Sequence, residues 1–151
     1  SGLDETRRVL HDLRAMPLEE LGLGLALRNL FERTADRENL QLDLQIDPSL
    51  PELTPAEEQA FYRIGQESLD NIVHHALASK LWFSLRQEAE GLTMRIRDNG
   101  QGFDPQQEWA MERYGLRGMR ERATQIGADL RIESADKAGT TVTLLKEGPH
   151  G

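Results

Sequence analysis

The chain of 151 residues contains no cysteine, no apolar run long enough to span a bilayer, and fewer basic than acidic residues. Without cysteine, thiol catalysis, disulfides and zinc–thiolate sites are excluded, and the composition is compatible with a reducing cytoplasm. The 26 acidic residues outnumber the 18 basic ones for a net charge of −8. That is the wrong sign for a protein whose main task is to grip phosphate backbones, so direct nucleic-acid binding is not expected. A membrane helix needs about 20 consecutive apolar residues, and the opening "SGLDETRR" lacks the apolar core of a secretion signal. The region is therefore expected to be cytoplasmic, with membrane anchoring of a longer parent left open. Ser1-Gly2 reads as a cloning remnant and the abrupt helical start as the edge of a piece of something larger. A single domain of this length buries about two thirds of the surface its unfolded chain exposes, and needs no disulfide or structural metal. Internal repeats and low-complexity tracts are absent.

What is present is an alternation of helical and strand patterns. "LDETRRVLHDLRAM" carries Leu3, Val9, Leu10 and Leu13 among charges, which predicts an amphipathic helix ending before Pro17. A leucine-rich helical pattern follows from Leu18 to about Asp36, and "LQLDLQID" alternates as a half-buried strand. Thr54, Pro55 and Glu57 spell a capping box with proline at the first helical position, opening a helix that runs to about Leu77. "KLWFSLRQ" and "LTMRIRD" read as strands joined by "EAEG", whose Gly91 suits a hairpin turn. After a glycine-rich stretch and a polar, poorly periodic segment, "GLRGMRERATQIG" predicts a helix closed by Gly127, then "ADLRIES" and "TTVTLLK" two further strands. Hairpin strands with helices grouped between them indicate an α+β sandwich, not alternating βαβ units.

The candidate chemistry falls on four stretches. On the capped helix Phe61, Ile64, Leu69, Ile72, Val73 and Ala76 share one face, which leaves Arg63, Glu67, Asp70, Asn71 and His74 opposite. Glu67 and Asn71 lie one turn apart with His74 and His75 beyond, a set that could hold hydrated Mg2+ and its phosphate ligands or simply form a solvated face. In "LTMRIRD" the residues Leu92, Met94, Ile96 and Asp98 share parity, so Asp98 aims at the apolar side. A buried carboxylate needs donors, and the exocyclic amine of a purine is one. Gly100 and Gly102 in "DNGQGFD" would let the backbone approach such a ligand, although the same residues also make an ordinary tight turn. In "YGLRGMRER", Gly115 and Gly118 stand at a helix start, where free amides and the dipole favour anions. In "GTTVTL", Thr140 enters a strand where its hydroxyl could reach a ligand, and the stretch is otherwise a routine turn.

Taken in order, "QESLDNIVHHA", "DNGQGFD", "GLRGMRERA" and "GTTVTL" resemble the N, G1, G2 and G3 boxes of the Bergerat-fold ATPases, and their spelling resembles the catalytic domain of bacterial sensor histidine kinases. "GLRGMRER" and the upstream "LRAMPLEELGLGLAL" are similar to the subclass that pairs with helix-turn-helix response regulators. The resemblance implies a two-layer α/β sandwich, a mixed sheet covered on one face by helices. It implies residues 1–16 as the end of a dimerisation hairpin or linker helix and 17–151 as the ATP-binding domain. Asp98 would bind the adenine amine with help from Thr140, while Gly100 and Gly102 shape the pocket. Asn71 would ligate Mg2+, and Glu67 would be the general base. Gly115, Leu116, Gly118 and Met119 would line the phosphate side under a mobile lid of about residues 104–114. The implied partners are a phosphoacceptor histidine helix of the same protein, a cytoplasmic response regulator, and a second copy in the full-length homodimer.

Two departures stand out. His74 occupies the position three residues after Asn71 where the family usually has Lys or Arg, and it is a cation only when protonated. His75 follows the family pattern, either as a phosphate contact or as a structural imidazole at the helix end. "LHDLR" around His11 imitates the acceptor box, but too few residues separate His11 from Asn71 to hold a second long hairpin helix, so the acceptor is expected elsewhere. The alternatives are an anti-sigma-type serine kinase sharing the fold and a nucleotide-sensing interaction module without transferase activity.

Overall fold

The structure, a computed structural model, describes residues 18–148. The helix expected before Pro17, with His11, lies outside them. The leucine-rich pattern forms two helices where one was expected: α1 (Leu18–Leu21) and α2 (Leu23–Arg37). The break is Gly22, whose φ of 81° is a left-handed conformation that favours glycine. Strand β1 (Gln41–Ile46) alternates exposed and half-buried residues as expected. Helix α3 (Pro55–Asn71) has the anticipated capping box: the Glu57 amide donates to Thr54 Oγ1 at 3.1 Å and the Thr54 amide to Glu57 Oε1 at 2.9 Å. Its extension widens into a π turn, Ile72–Ala76, that ends at Leu77 with φ 54°. Such turns recur at functional sites.

β2 (Lys80–Gln87) and β3 (Gly91–Asp98) form the hairpin. Within the segment read as aperiodic, α4 (Glu108–Arg113) is helical. Its six residues bury only Ala110, too little to leave a periodic signature. Helix α5 (Leu116–Gln125) starts after Gly115 and stops before Gly127, both at positive φ. β4 (Asp129–Ser134) and β5 (Thr140–Glu147) complete a sheet of order β1-β2-β3-β5-β4, in which β1–β2 is parallel and every other pairing antiparallel.

The parallel step forces a crossover, and α3 supplies it on the apolar face. Leu81, Phe83, Leu85, Leu92, Met94, Ile96 and Leu144 point to that face and bury there with Leu27, Phe31, Phe61, Ile64 and Met119 of the helices. Phe31 and Phe83 pack at 4.4 Å between ring centroids. A Cβ on Gly65 would come within 2.9 Å of Leu27 Cδ2, so glycine sets how closely α2 and α3 cross. The opposite sheet face holds Trp82 between Lys80 and Arg97, each 4.8 Å from its ring. The α+β mixed sheet and its helical layer are as the sequence implies. Among the described residues no helix is long and apolar enough to cross a membrane.

The loop after β3 is pinned to the end of α3. Gln101 donates its amide to the Ala76 carbonyl at 2.7 Å, and a side chain on Gly100 would collide with that same carbonyl. Gly118, by contrast, has open space around it. Gly100→Ala should therefore destabilise the fold by about 1–3 kcal/mol, as overpacking against backbone does. Gly118→Ala should be neutral or stabilising by up to about 1 kcal/mol through helix propensity. Urea unfolding of both variants checks this; equal midpoints for the two would refute it.

Candidate functional site

Asp98 ends β3 and, by its parity with Met94 and Ile96, enters the core side, where it is only 3% exposed. Its Oδ1 accepts the Gly100 amide at 2.7 Å. Burial pushes its carboxyl pKa upward, against the opposing pull of the backbone amides of Gly100 and Thr140. Thr140 faces Asp98 across the β3–β5 pairing. Its hydroxyl lies 2.8 Å from Ser134 Oγ, which also accepts the Phe103 amide at 2.9 Å and donates to the Gly139 carbonyl at 3.1 Å. Either hydroxyl of the Ser134–Thr140 pair can be the donor, and when Ser134 gives its one proton to Gly139, Thr140 gives its own to Ser134. In that arrangement Thr140 shows the cavity an acceptor, as the Asp98 carboxylate does. Two acceptors side by side select a ligand with an N–H donor.

The facing wall is α3. Asn71 Nδ2 donates to the Tyr114 carbonyl at 2.8 Å, which turns Oδ1 away from that bond and leaves it available as a ligand. One turn earlier, Glu67 Oε2 would stand 2.9 Å from a Cβ on Gly115, so the missing side chain at Gly115 is the room the carboxylate uses. His75 sets its ring edge-on to Tyr114, 4.9 Å between centroids at 89°. Its pKa is lowered by burial first, then by the charges of Arg113 and His74, so it is a neutral imidazole at pH 7. His74 is exposed on the outer side of the π turn.

Between these walls lies a cavity of about 20 Å3. Asn71 and His75 line it from the helix, Asp98, Gly102 and Thr140 from the strand ends, and Leu116 and Met119 from α5. Glu67, His74, Gly100, Gly115 and Gly118 do not line it. The close approach that Gly100 and Gly102 permit is to the protein's own carbonyls, those of Ala76 and Ala135. Sequence reasoning missed Phe103 and Ser68 among the lining residues and Ser134 behind them, and it had Tyr114 only as the end of a lid of about residues 104–114. For the aromatics the one available signal was their isolation in a polar stretch. Among the described residues no group of three or more His, Cys, Asp or Glu could hold a metal. A single amide such as Asn71 suits Mg2+, which keeps most of its shell as water and substrate phosphate oxygens.

The sequence profile of the histidine kinase-, DNA gyrase B-, and HSP90-like ATPases matches residues 56–148. The sensor histidine kinase MctS of Rhizobium johnstonii is 36% identical over 95% of this chain and 31% of its own length. The signal transduction histidine-protein kinase/phosphatase DegS of Brevibacillus brevis is 33% identical over 95% of this chain and 37% of its own. The chain thus spans about a third of the length of these relatives. Among solved structures, the histidine kinase domain of the Erythrobacter litoralis EL346 blue-light activated histidine kinase superposes with a TM-score of 0.68 at 19% identity, over 81% of this chain and 59% of that one. The ATP binding domain of PrrB from Mycobacterium tuberculosis gives 0.55 at 24% identity, over 81% and 93%. At such identities the superpositions speak for the fold, and the profile match, which takes in all four boxes, for the family. The chain belongs to the histidine kinase-, DNA gyrase B-, and HSP90-like ATPases.

Proposed function

We propose that the chain is the Mg2+-ATP-binding catalytic domain of a sensor histidine kinase in a two-component system. The observation that carries this reading is the buried Asp98 carboxylate, set beside the acceptor face of Thr140 across a cavity from Asn71. The adenine amine would donate to Asp98 and Thr140. Asn71 Oδ1 would hold Mg2+ together with the phosphates, and the ion supplies charge neutralisation there. The triphosphate would extend toward the start of α5, where the amides of Leu116, Arg117 and Gly118 precede the first intrahelical bonds.

The acceptor is a histidine on a dimerisation helix of the same protein. Its imidazole nitrogen attacks the γ-phosphorus, the bond to the β–γ bridging oxygen breaks, and ADP leaves. Glu67, beside Gly115 at the phosphate end, takes the imidazole proton. Catalysis of this kind is mostly positioning and electrostatics. The phosphoryl group then passes to an aspartate of a cytoplasmic response regulator.

Asp98→Asn should lower Mg2+-ADP affinity at least tenfold in calorimetric titration, the order expected when a charge-assisted bond is lost. The same variant should be as stable as the parent at neutral pH, or more so. In the folded chain the carboxyl holds its proton more tightly than in the unfolded chain, so the parent loses stability as pH rises from the unfolded value through the raised folded one. The stability advantage of Asn should therefore shrink toward acid pH. A fully retained affinity would sink the adenine assignment.

Glu67→Gln should bind Mg2+-ADP as the parent does and transfer phosphate to a supplied acceptor helix about 10²–10⁴-fold more slowly. The parent's product should be acid-labile, as phosphohistidine is. An acid-stable product would point instead to a serine acceptor, and an unchanged transfer rate in the variant would remove Glu67 from the chemistry.

A further inference from the structure

Tyr114 follows a short, largely exposed helix, yet it is only 7% exposed. Its ring stacks on Phe103 at 4.1 Å and 23°, meets the edge of His75, and lies 5.9 Å from Trp109. Its hydroxyl makes no hydrogen bond to another described residue and is not a buried unpaired atom, so the ring is buried while its polar tip reaches solvent. Its carbonyl, in contrast, is tied to Asn71, and its amide donates to the Ala110 carbonyl at 3.1 Å. The backbone is thus fastened on both sides, and the residue forms part of the cavity wall.

The volumes decide what this means. About 20 Å3 is room for one or two water molecules, at about 10–15 Å3 of such space apiece. A bicyclic purine cannot enter without displacing part of the wall. Ile72, Ile96, Leu116, Met119 and Val142 belong to helices and strands and are 5% exposed or less, so they are fixed by the core itself. Phe103 is held from behind through its amide by Ser134. Tyr114 lies between α4 and α5, outside any helix or strand, so no regular element fixes its ring.

We propose that Tyr114 is an internal competitor of the nucleotide: its ring occupies the base position against Phe103, and binding requires that an adenine ring take its place there. The inference rests on the nucleotide reading of the cavity and adds a control to it. An occupant that must leave lowers apparent affinity by the fraction of molecules in which it has left. The replacement exchanges one flat ring for another on the same Phe103 face, so much of the stacking is recovered. The Asn71 bond is to the Tyr114 backbone carbonyl, so the ring can move without freeing the metal-binding amide.

The test is calorimetric titration of Mg2+-ADP into the parent, Tyr114→Ala and Tyr114→Phe, with Asp98→Asn as the site control. Tyr114→Ala should bind about tenfold tighter, because the closed population is removed, and Tyr114→Phe should bind as the parent does. Unchanged or weaker binding by a folded Tyr114→Ala, while the parent binds and Asp98→Asn does not, would overturn the competitor and leave the nucleotide site standing. No binding by any folded variant would overturn both. A second readout needs no change at Tyr114. Trp82 and Trp109 are the two tryptophans, so in a Trp82→Phe background Trp109 reports alone on the ring 5.9 Å away. Its emission should shift on saturation with ADP, and constant emission would count against displacement.

Discussion

The site depends on one backbone contact, the meeting of the α3 terminus with the loop after β3. A helix end leaves carbonyls without partners, and here the π turn presents those of His75 and Ala76. Gln101 satisfies both, its amide reaching Ala76 at 2.7 Å and its side-chain amide reaching His75 at 2.5 Å. Asn99 answers from the other side, its Oδ1 receiving the amides of Ser79 and Lys80 at 2.9 and 3.0 Å. Helix end and loop therefore complete each other's hydrogen bonding. Asn71 and Asp98, one on each side of this seam, are held across the cavity as a consequence. Gly100 is required at the seam because any Cβ would sit on the Ala76 carbonyl.

That rigidity is what makes an inward carboxylate tolerable. Asp98 is buried, and its two protein donors, the Gly100 and Thr140 amides, do not offset the loss of water, as the upward displacement of its pKa indicates. A group that costs stability where it stands, and whose remaining acceptor capacity points into a cavity, is explained by a ligand that brings a donor. The Ser134–Thr140 bond has the same logic: with Ser134 donating to Gly139, it directs the Thr140 proton away from the cavity and its lone pairs toward it. Residues that never touch a ligand thus determine which hydrogen-bonding groups a ligand must carry.

What could be read from the sequence was what is encoded locally. The capping box at Thr54 and Glu57, the two-residue parity that turns Asp98 inward, and the glycines that begin and end α5 all depend on neighbours in the chain, and all appear as expected. The break at Gly22 was hidden because the leucines around it continue without interruption, and α4 because six residues cannot display a helical period. The bond from Asn71 to the Tyr114 carbonyl spans 43 residues, and the Glu67 carboxylate meets Gly115 from a different helix. No spacing rule links such pairs. Tyr114 itself could be read only as the end of the lid of about residues 104–114, since its burial is decided by Phe103 and His75 from two other parts of the fold.

The charges around the proposed phosphate end explain why these parts must act together. His74 points to solvent and His75 is neutral at pH 7, so the π turn contributes no fixed positive charge to the cavity. Arg117 is exposed and pairs at 3.8 Å with Glu112, an interaction of the kind worth about 0–1 kcal/mol, and so is free to be drawn elsewhere. Glu67 places a carboxylate beside Gly115, where it opposes an incoming polyanion. On the proposed function a nucleotide would approach more readily with its phosphates partly neutralised, and Asn71, whose amide is oriented by Tyr114, would hold a cation without supplying further negative charge. On this reading the carboxylate that would accept the proton also makes the site depend on a divalent ion.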